Sequence, residues 1–522
     1  MMLLKNFFRN YKLWILIVFN FLIRLIAALT TNLGNDEAYY FTYGLVPGLS
    51  YYDHPPMIGL IILLTTFGLE YTSEFFMRLG PLLFGTFNIL IIYKIGKEIL
   101  NEKTGFISAL LASSSLYSTI IAGTFIMPDT PLSFFWLLSL FVTVRIIKYS
   151  KNKDLILFGI FTGLAMISKY QASLLWFGLL LFLLLYKREY FKKTSLYISL
   201  LLSLIIFSPV IIWNIENGLN SFSFHSSRIG ESSLNPLWLF REIAGQFGYN
   251  NPINFILIVI TLITIFKKKL LRQNETLSAI FLMSFPLIII SILLSFTSQT
   301  LPHWSGPAYY GLILMASFYI SSSGLSVQKK YTSWIAVANI LLIVIVISGI
   351  VHINNGLIKS QENPDIEQLG RNDFTLDMYG WDDAGNKIDN WVKEQGFNGG
   401  KTVFVSRFWY PANHFVYYFS YPYKYDLWVY GYENEQHHFL KCNEKLNPVK
   451  AGQDMVYITS STSFKPIPEE LKLLFESEDE RVVIPIYRGD NNVYNLFLYR
   501  LRNASREISQ QDMLPDDEEK NK

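Results

Sequence analysis

Apolar runs of near-membrane length, parted by short charged stretches, fill the chain as far as residue 352. A bilayer core takes ~20 apolar residues in helical form. The runs predict eleven spanning helices, at 13–32, 75–95, 105–124, 130–148, 154–169, 171–187, 195–213, 252–267, 277–297, 305–323 and 333–352. The run 57–69 is too short to cross, and counting it would invert every later loop, so it reads as an interfacial or re-entrant helix. In 239–247, Leu239, Phe240, Ile243 and Phe247 share one helical face and Arg241, Glu242 and Gln246 the other, which predicts a second interfacial helix. The stretch 155–186 is too long for one crossing and is interrupted by Ser168-Lys169-Tyr170-Gln171. It predicts two short helices with Lys169 sunk at the break, and irregular backbone at that depth is tolerated only where it lines an enclosed or wet cavity.

Past residue 352 the runs shrink and Gly, Asn and Asp become frequent. An amphipathic helix is predicted over 381–395 and strands over 402–406, 455–460, 481–488 and 493–500, with Gly489-Asp490-Asn491-Asn492 as the hairpin turn between the last two. The predicted organisation is a spanning region over 1–352, a small soluble α/β domain over 353–502, and a disordered acidic tail over 503–522 ending in Asp516-Asp517-Glu518-Glu519.

Composition fixes the class. Of 522 residues, 51% are hydrophobic and only 16% charged, which with the run lengths makes this a polytopic α-helical membrane protein. A single cysteine, Cys442, excludes an internal disulfide and a Cys-based zinc site. The net charge of +3 says little, and nothing points to nucleic acid. Placement of the positives says more. Lys5/Arg9/Lys12, Lys94/Lys97/Lys103, Arg145/Lys148/Lys151/Lys153, Lys187/Arg188/Lys192/Lys193, Lys267/Lys268/Lys269/Arg272 and Lys329/Lys330 all fall on one side, the cytoplasmic one by the positive-inside rule. The first helix lacks a small-residue cleavage pattern and reads as uncleaved. By parity the C-terminal domain is extracytoplasmic.

The opposite side gathers Asp36, Glu37, Asp53, His54, Asp129, Lys169, His225, Arg228 and His303. Carboxylates and a lysine at a membrane mouth are costly and mark a functional site by default. A sugar leaving a lipid phosphate needs such parts. The departing phosphate gains charge that a fixed cation or a metal must meet, and a hydroxyl acceptor loses a proton that a carboxylate takes. Structural readings stand beside these. Asp36 caps an interfacial helix, Asp129 caps the helix starting at Pro131, Lys169 snorkels to the surface, and His225 is a solvated loop histidine. One of Asp53 and His54, with His225, is a candidate metal pair.

The motifs resemble the GT-C glycosyltransferases, in particular the bacterial family 39/83 branch, similar to protein O-mannosyltransferases and the aminoarabinose transferase of lipid A. They are Asp36-Glu37 after the first helix, Tyr52-Asp53-His54-Pro55-Pro56, Pro128-Asp129-Thr130-Pro131-Leu132, Leu164-Ala165-Met166-Ile167-Ser168-Lys169-Tyr170, the segment from Pro209 to Asn214 with Phe222 and His225, and His303-Trp304. Tyr379-Gly380-Trp381-Asp382 and Tyr425-Asp426-Leu427-Trp428 resemble the small outer domain of the same bacterial proteins.

The resemblance implies a GT-C bundle in a bacterial cytoplasmic membrane and a polyprenyl-phosphate sugar donor. It implies Asp36 as the catalytic carboxylate and Lys169 on the lipid phosphate; Glu37 and Asp129 join Asp36 as catalytic candidates, and His54, Arg228 and His303 join Lys169 as candidates for contact with the phosphate. Asp53 and His225 would sit where some members hold a divalent metal (Mg, Mn or Zn). His54 stands where the lipid A branch has a lysine. The expected activity is sugar transfer to lipid A, another envelope lipid or glycan, or a protein, in contact with membrane lipids. The rival is a transporter or flippase of lipid-linked sugars, which would place polar breaks near the midplane in two related halves. Here the polar groups crowd one face.

Overall fold

The computed structural model describes residues 11–227, 234–358, 365–396 and 402–515; Arg228 and the acids at 516–519 lie outside the described residues. The chain divides into two compact units, 1–29 with 48–346, and 30–47 with 347–522. The break falls after 346, not at the expected 352, and the segment carrying Asp36 groups with the C-terminal residues.

In the first unit the helices are α1 (Tyr11–Thr30), α3 (Met57–Thr65), α4 (Glu74–Ile99), α5 (Glu102–Ser113), α6 (Asp129–Tyr149), α7 (Asn152–Met166), α8 (Ser173–Tyr186), α9 (Thr194–Glu216), α10 (Asn220–Ser227), α11 (Pro236–Tyr249), α12 (Pro252–Lys267), α13 (Glu275–Leu294), α14 (Gly306–Ser322) and α15 (Leu325–Asn355), the last running on into the second unit; α2 (Asn35–Leu45) belongs to the second. Six of them, α1, α4, α6, α9, α13 and α15, are long and apolar enough to cross a bilayer. The other five expected spans, α5, α7, α8, α12 and α14, are helices of 12, 15, 14, 16 and 17 residues.

The helices differ in how far they are buried. α1 and α15 keep apolar faces exposed, as lipid-facing helices do, whereas α14 is buried along nearly its whole length. Glycine lets neighbours close in. A Cβ on Gly159 would lie 2.1 Å from the Ser199 carbonyl oxygen, and one on Gly178 2.5 Å from the Leu282–Met283 main chain. Where no hydrophobic force draws helices together in lipid, such close backbone approach supplies the attraction.

The expected helix 105–124 is instead α5 followed by a π-helical turn, Tyr117–Ile121. A run of three serines, Ser113 to Ser115, interrupts it, and Ser113 and Ser114 return their hydroxyls to carbonyls of the preceding turn. α3 has nine residues, too few to cross. α11 meets α12 at 102°, with Leu237, Phe240, Ile243 and Phe247 exposed and Glu242 and Gln246 buried. The interfacial helix thus turns its polar face into the protein. Buried Arg24 of α1 pairs with main chain: it donates to the carbonyls of Leu82 and Gly123, each at 3.1 Å, and to Thr86 Oγ1 at 2.8 Å.

The second unit is built on a six-stranded sheet of β1 (Val403–Arg407), β2 (Asp426–Tyr430), β3 (Met455–Ser460), β4 (Phe475–Glu478), β5 (Val482–Arg488) and β6 (Asn491–Ala504). The order is β2-β1-β3-β6-β4, with β5 also on β6. β1 runs parallel to β2 and β3, and β6 antiparallel to β3, β4 and β5. The hairpin turns at Gly489, whose φ of +60° suits glycine. Helix α16 (Trp381–Glu394) buries Trp381, Ala384, Ile388 and Val392, each large apolar one contributing ~1.5–3 kcal/mol.

The tail does not begin at 503. β6 ends at Ala504, and Ile508 and Met513 lie buried in the core beside Val405, Trp428 and Tyr457. The expectation of disorder is therefore corrected for 503–515: two apolar anchors, at 508 and 513, outweigh the acidic composition that follows them.

Candidate functional site

The first unit brings together six of the residues singled out from sequence: Asp53, His54, Asp129, Lys169, His225 and His303. α6 starts at Asp129 itself, after Pro128 as N-cap, with no side-chain cap bond. Its carboxylate is free of the capping role and turns to the interior. Asp129 Oδ2 accepts from Lys169 Nζ at 2.8 Å, and Oδ1 accepts from the Tyr117 hydroxyl at 3.2 Å. The π turn is what brings Tyr117 there. Such turns recur at functional sites, and this one lets Tyr117 reach both Asp129 and Ser133 Oγ, the latter at 3.0 Å.

Lys169 sits at the break between α7 and the 3₁₀ turn Tyr170–Ala172, in extended conformation. The helix cannot continue through that geometry, so Lys169 points out of the α7 ladder toward Asp129. The ion pair is buried, with the side chains 10% and 0% exposed. Among the described residues, two of the three ammonium protons have no protein acceptor. The break is itself held from two sides. Tyr170 shares a 2.7 Å hydrogen bond with Ser221 Oγ of α10, and Gln171 Nε2 donates to the Trp304 carbonyl at 2.8 Å.

The same links carry the histidines in. His303, in the 3₁₀ turn Pro302–Ser305, lies with its ring centroid 6.1 Å from that of Tyr249. Burial pushes it down to about 4, against the pull of Asp129. His54 is pushed down to about 3, again by burial first, with Asp53 acting in the opposite sense. Both are therefore neutral near pH 7 and offer hydrogen bonds, not charge. His225 packs edge-on against Tyr170, ring centroids 5.0 Å apart.

Asp53 and His225 do meet, but through the main chain: His225 Nε2 donates to the Asp53 carbonyl at 2.8 Å, which fixes its tautomer. Among the described residues no group of three or more His, Cys, Asp or Glu side chains converges. Asp53 with the remaining His225 nitrogen falls short of the three protein ligands usual in a catalytic zinc site.

A feature not foreseen lies on α11. Buried Glu242 accepts from Gln246 Nε2 at 2.7 Å and from Thr300 Oγ1 at 2.8 Å, and Gln246 Oε1 accepts from Tyr309 at 2.6 Å. This network ties α11 to the segment leading into His303. Its sequence signal was present, as polar positions at i and i+4 on one face of the expected interfacial helix.

In the second unit, α2 carries the acid pair in its first turn. Glu37 is buried, and its Oε2 accepts from the Gly34 N–H at 3.0 Å, so it closes the start of the helix. Asp36, one residue earlier, is exposed. The residue before it is gripped from three directions: Asn35 N–H donates to Asp377 Oδ1 at 2.8 Å, its carbonyl accepts from Asn413 Nδ2 at 2.6 Å, and its side-chain oxygen accepts from His414 Nε2 at 2.7 Å. His414 in turn stacks on Trp381, centroids 4.1 Å apart. Burial lowers the His414 pKa and keeps the ring neutral. The C-terminal residues thus fix the direction in which α2 presents Asp36.

Residues 53–213 match the family model described as dolichyl-phosphate-mannose-protein mannosyltransferase. Over 312 residues, 59% of this chain, the sequence is 23% identical to the lipid A galacturonosyltransferase RgtD of Rhizobium johnstonii, and the chain spans 63% of that protein's length. Among solved structures, ArnT from Cupriavidus metallidurans bound to undecaprenyl phosphate superposes with a TM-score of 0.61 at 13% identity, covering 93% of this chain and 97% of that one. Its apo state gives 0.59 at 11% identity, covering 94% and 98%.

Proposed function

We propose that this chain, whose fold is that of the GT-C glycosyltransferases, moves a sugar from a polyprenyl-phosphate donor to an acceptor of the cell envelope. The acceptor is lipid A, another lipid or glycan, or a protein, and the reaction runs on the outer face of a bacterial cytoplasmic membrane. The sorting of Lys and Arg clusters supports that orientation. The observation that carries the reading is Lys169: a buried ammonium at a helix break, held by Asp129 and with two N–H protons to spare. A relative named for lipid A and a fold relative holding undecaprenyl phosphate support it.

In the reaction an acceptor hydroxyl attacks the anomeric carbon while the bond from that carbon to the phosphate oxygen breaks. The bonding pair leaves with the polyprenyl phosphate, where the spare Lys169 protons meet the growing charge. Asp129 keeps the ammonium aimed. Neutral His54 and His303 add hydrogen bonds to the phosphate oxygens. Asp36 takes the acceptor proton, and one displacement inverts the anomeric carbon. Where the acceptor is itself a phosphate no base is needed, and Asp36 positions it instead.

The test is mass spectrometry of envelope lipids, glycans and proteins from cells with and without this chain. Loss of one hexose, hexosamine or aminopentose from a single class of molecule is the expected result and identifies both substrates. Identical profiles under conditions where the protein is expressed would refute the proposal.

A further inference from the structure

In open sheets with parallel strands, ligands settle at the carboxyl ends, in the crevice where the strand order reverses. The second unit has this device. Its parallel strands run in the order β2-β1-β3, so the chain leaves β1 to one side for β2 and returns past it to the other side for β3. The reversal lies between the carboxyl ends of β1 and β3.

Two cations lie at that point. Arg407 is the last residue of β1, and Lys465 follows β3. Both flank one ring: the Arg407 guanidinium carbon is 4.8 Å and the Lys465 ammonium 5.4 Å from the centroid of Phe408. Arg407 Nε is buried and has no hydrogen-bond partner, and neither side chain is ion-paired among the described residues. The carboxylates at this end are taken up otherwise, Glu435 by the Tyr432 N–H at 3.0 Å and Glu470 by the Tyr430 hydroxyl at 2.5 Å.

The loops around the pair are held in costly shapes. Phe408 has a φ of +67° and His437 one of +52°, a region bulky side chains avoid unless the surroundings impose it. Trp409 stacks on His437, centroids 5.7 Å apart, and the Tyr410 hydroxyl bridges to Thr462 Oγ1 at 2.9 Å, joining the loop after β1 to the loop after β3.

We infer that this crevice binds an anionic group, a phosphate or carboxylate, of the acceptor. The assignment to the acceptor rests on the glycosyl-transfer reading and on chain continuity: the short helix Trp409–Phe415 that leaves the crevice carries Asn413 and His414, which hold Asn35 beside Asp36. An anion clamped by Arg407 and Lys465 is thereby coupled to the helix that presents the carboxylate.

The experiment uses purified full-length protein in detergent, binding measured by thermophoresis with bisphosphorylated lipid A, with inorganic pyrophosphate, and with undecaprenyl phosphate. Arg407→Ala with Lys465→Ala is expected to weaken lipid A binding about tenfold or more, because charge-assisted contacts are lost. Arg407→Lys alone retains most of it and serves as the folding control. Undecaprenyl phosphate binding stays unchanged in the double variant and falls in Lys169→Ala. Pyrophosphate bound with the same Arg407/Lys465 dependence would show that a free anion suffices; lipid A bound that way without pyrophosphate would show that the headgroup in its lipid is required. Lipid A and pyrophosphate both bound equally by wild type and double variant, or neither bound by wild type, overturns the inference. Undecaprenyl phosphate binding indifferent to Lys169 would instead count against the proposed function and leave the crevice standing.

Discussion

Lys169→Met, alone and combined with Asp129→Asn, is the most revealing perturbation of the inner site. The pair is 2.8 Å apart and out of solvent. Removing one member of such a pair leaves the other charge buried and typically costs about 3–5 kcal/mol. In Lys169→Met the Asp129 carboxylate keeps only the Tyr117 hydroxyl, at 3.2 Å, so the loss should fall toward the lower end of that range. Adding Asp129→Asn removes the stranded charge, and the double variant should recover about half of the lost stability or more. In a heating series in detergent followed by intrinsic fluorescence, the expected order is wild type, then double variant, then Lys169→Met. Donor binding should behave differently. Two charge-assisted bonds to phosphate go with the ammonium, so both Lys169 variants should bind undecaprenyl phosphate at least about tenfold more weakly. Additive destabilisation in the double variant would refute the pairing. Unchanged donor affinity in Lys169→Met would remove Lys169 from the phosphate site.

Three further outcomes follow from the geometry. Asn413→Ala removes one donor to the Asn35 carbonyl, worth about 1 kcal/mol, and should lower kcat several-fold with the donor KM unchanged; a raised donor KM would contradict a role through Asp36. His303 sits at about 4 against ~6.5 in the unfolded chain, so only the unfolded state takes its proton between those values. Stability is then full above pH ~6.5 and falls as the pH drops toward 4, and His303→Gln should flatten that slope; an unaltered pH profile of thermal stability would disprove it. Glu242→Leu strands the Gln246 amide and the Thr300 hydroxyl, each at about 1–3 kcal/mol, and should lower the unfolding temperature well below that of Glu242→Gln; equal midpoints would refute the buried network.

Much of this was legible in the chain because it depends on local pattern. The break at Ser168-Lys169-Tyr170-Gln171, the shortness of the run beginning at Met57, helix α16 and the last hairpin all follow from periodicity, breakers and turn chemistry. Pairings between distant segments were not. Asp129 and Lys169 were both singled out, but nothing in their spacing says that one neutralises the other, and Asp129 reads equally well as a helix cap. Strand β4 escaped because it has only four residues, the last three of them polar and exposed, too few for alternation to show; β2 was not predicted as a strand either. The π turn bearing Tyr117 hides inside an apolar stretch that looks like uninterrupted helix. Glu242 and Gln246 were placed on the right face of α11, but which face meets protein is a tertiary fact.

Asp36 is the group on which the proposed chemistry depends. Purified protein in detergent, where no compartments exist, should transfer labelled sugar from an undecaprenyl-phosphate donor to the envelope acceptor identified by mass spectrometry. Asp36→Asn should reduce that transfer to background while keeping the wild-type unfolding temperature and undecaprenyl phosphate affinity. Full transfer by Asp36→Asn would contradict the assignment of the carboxylate.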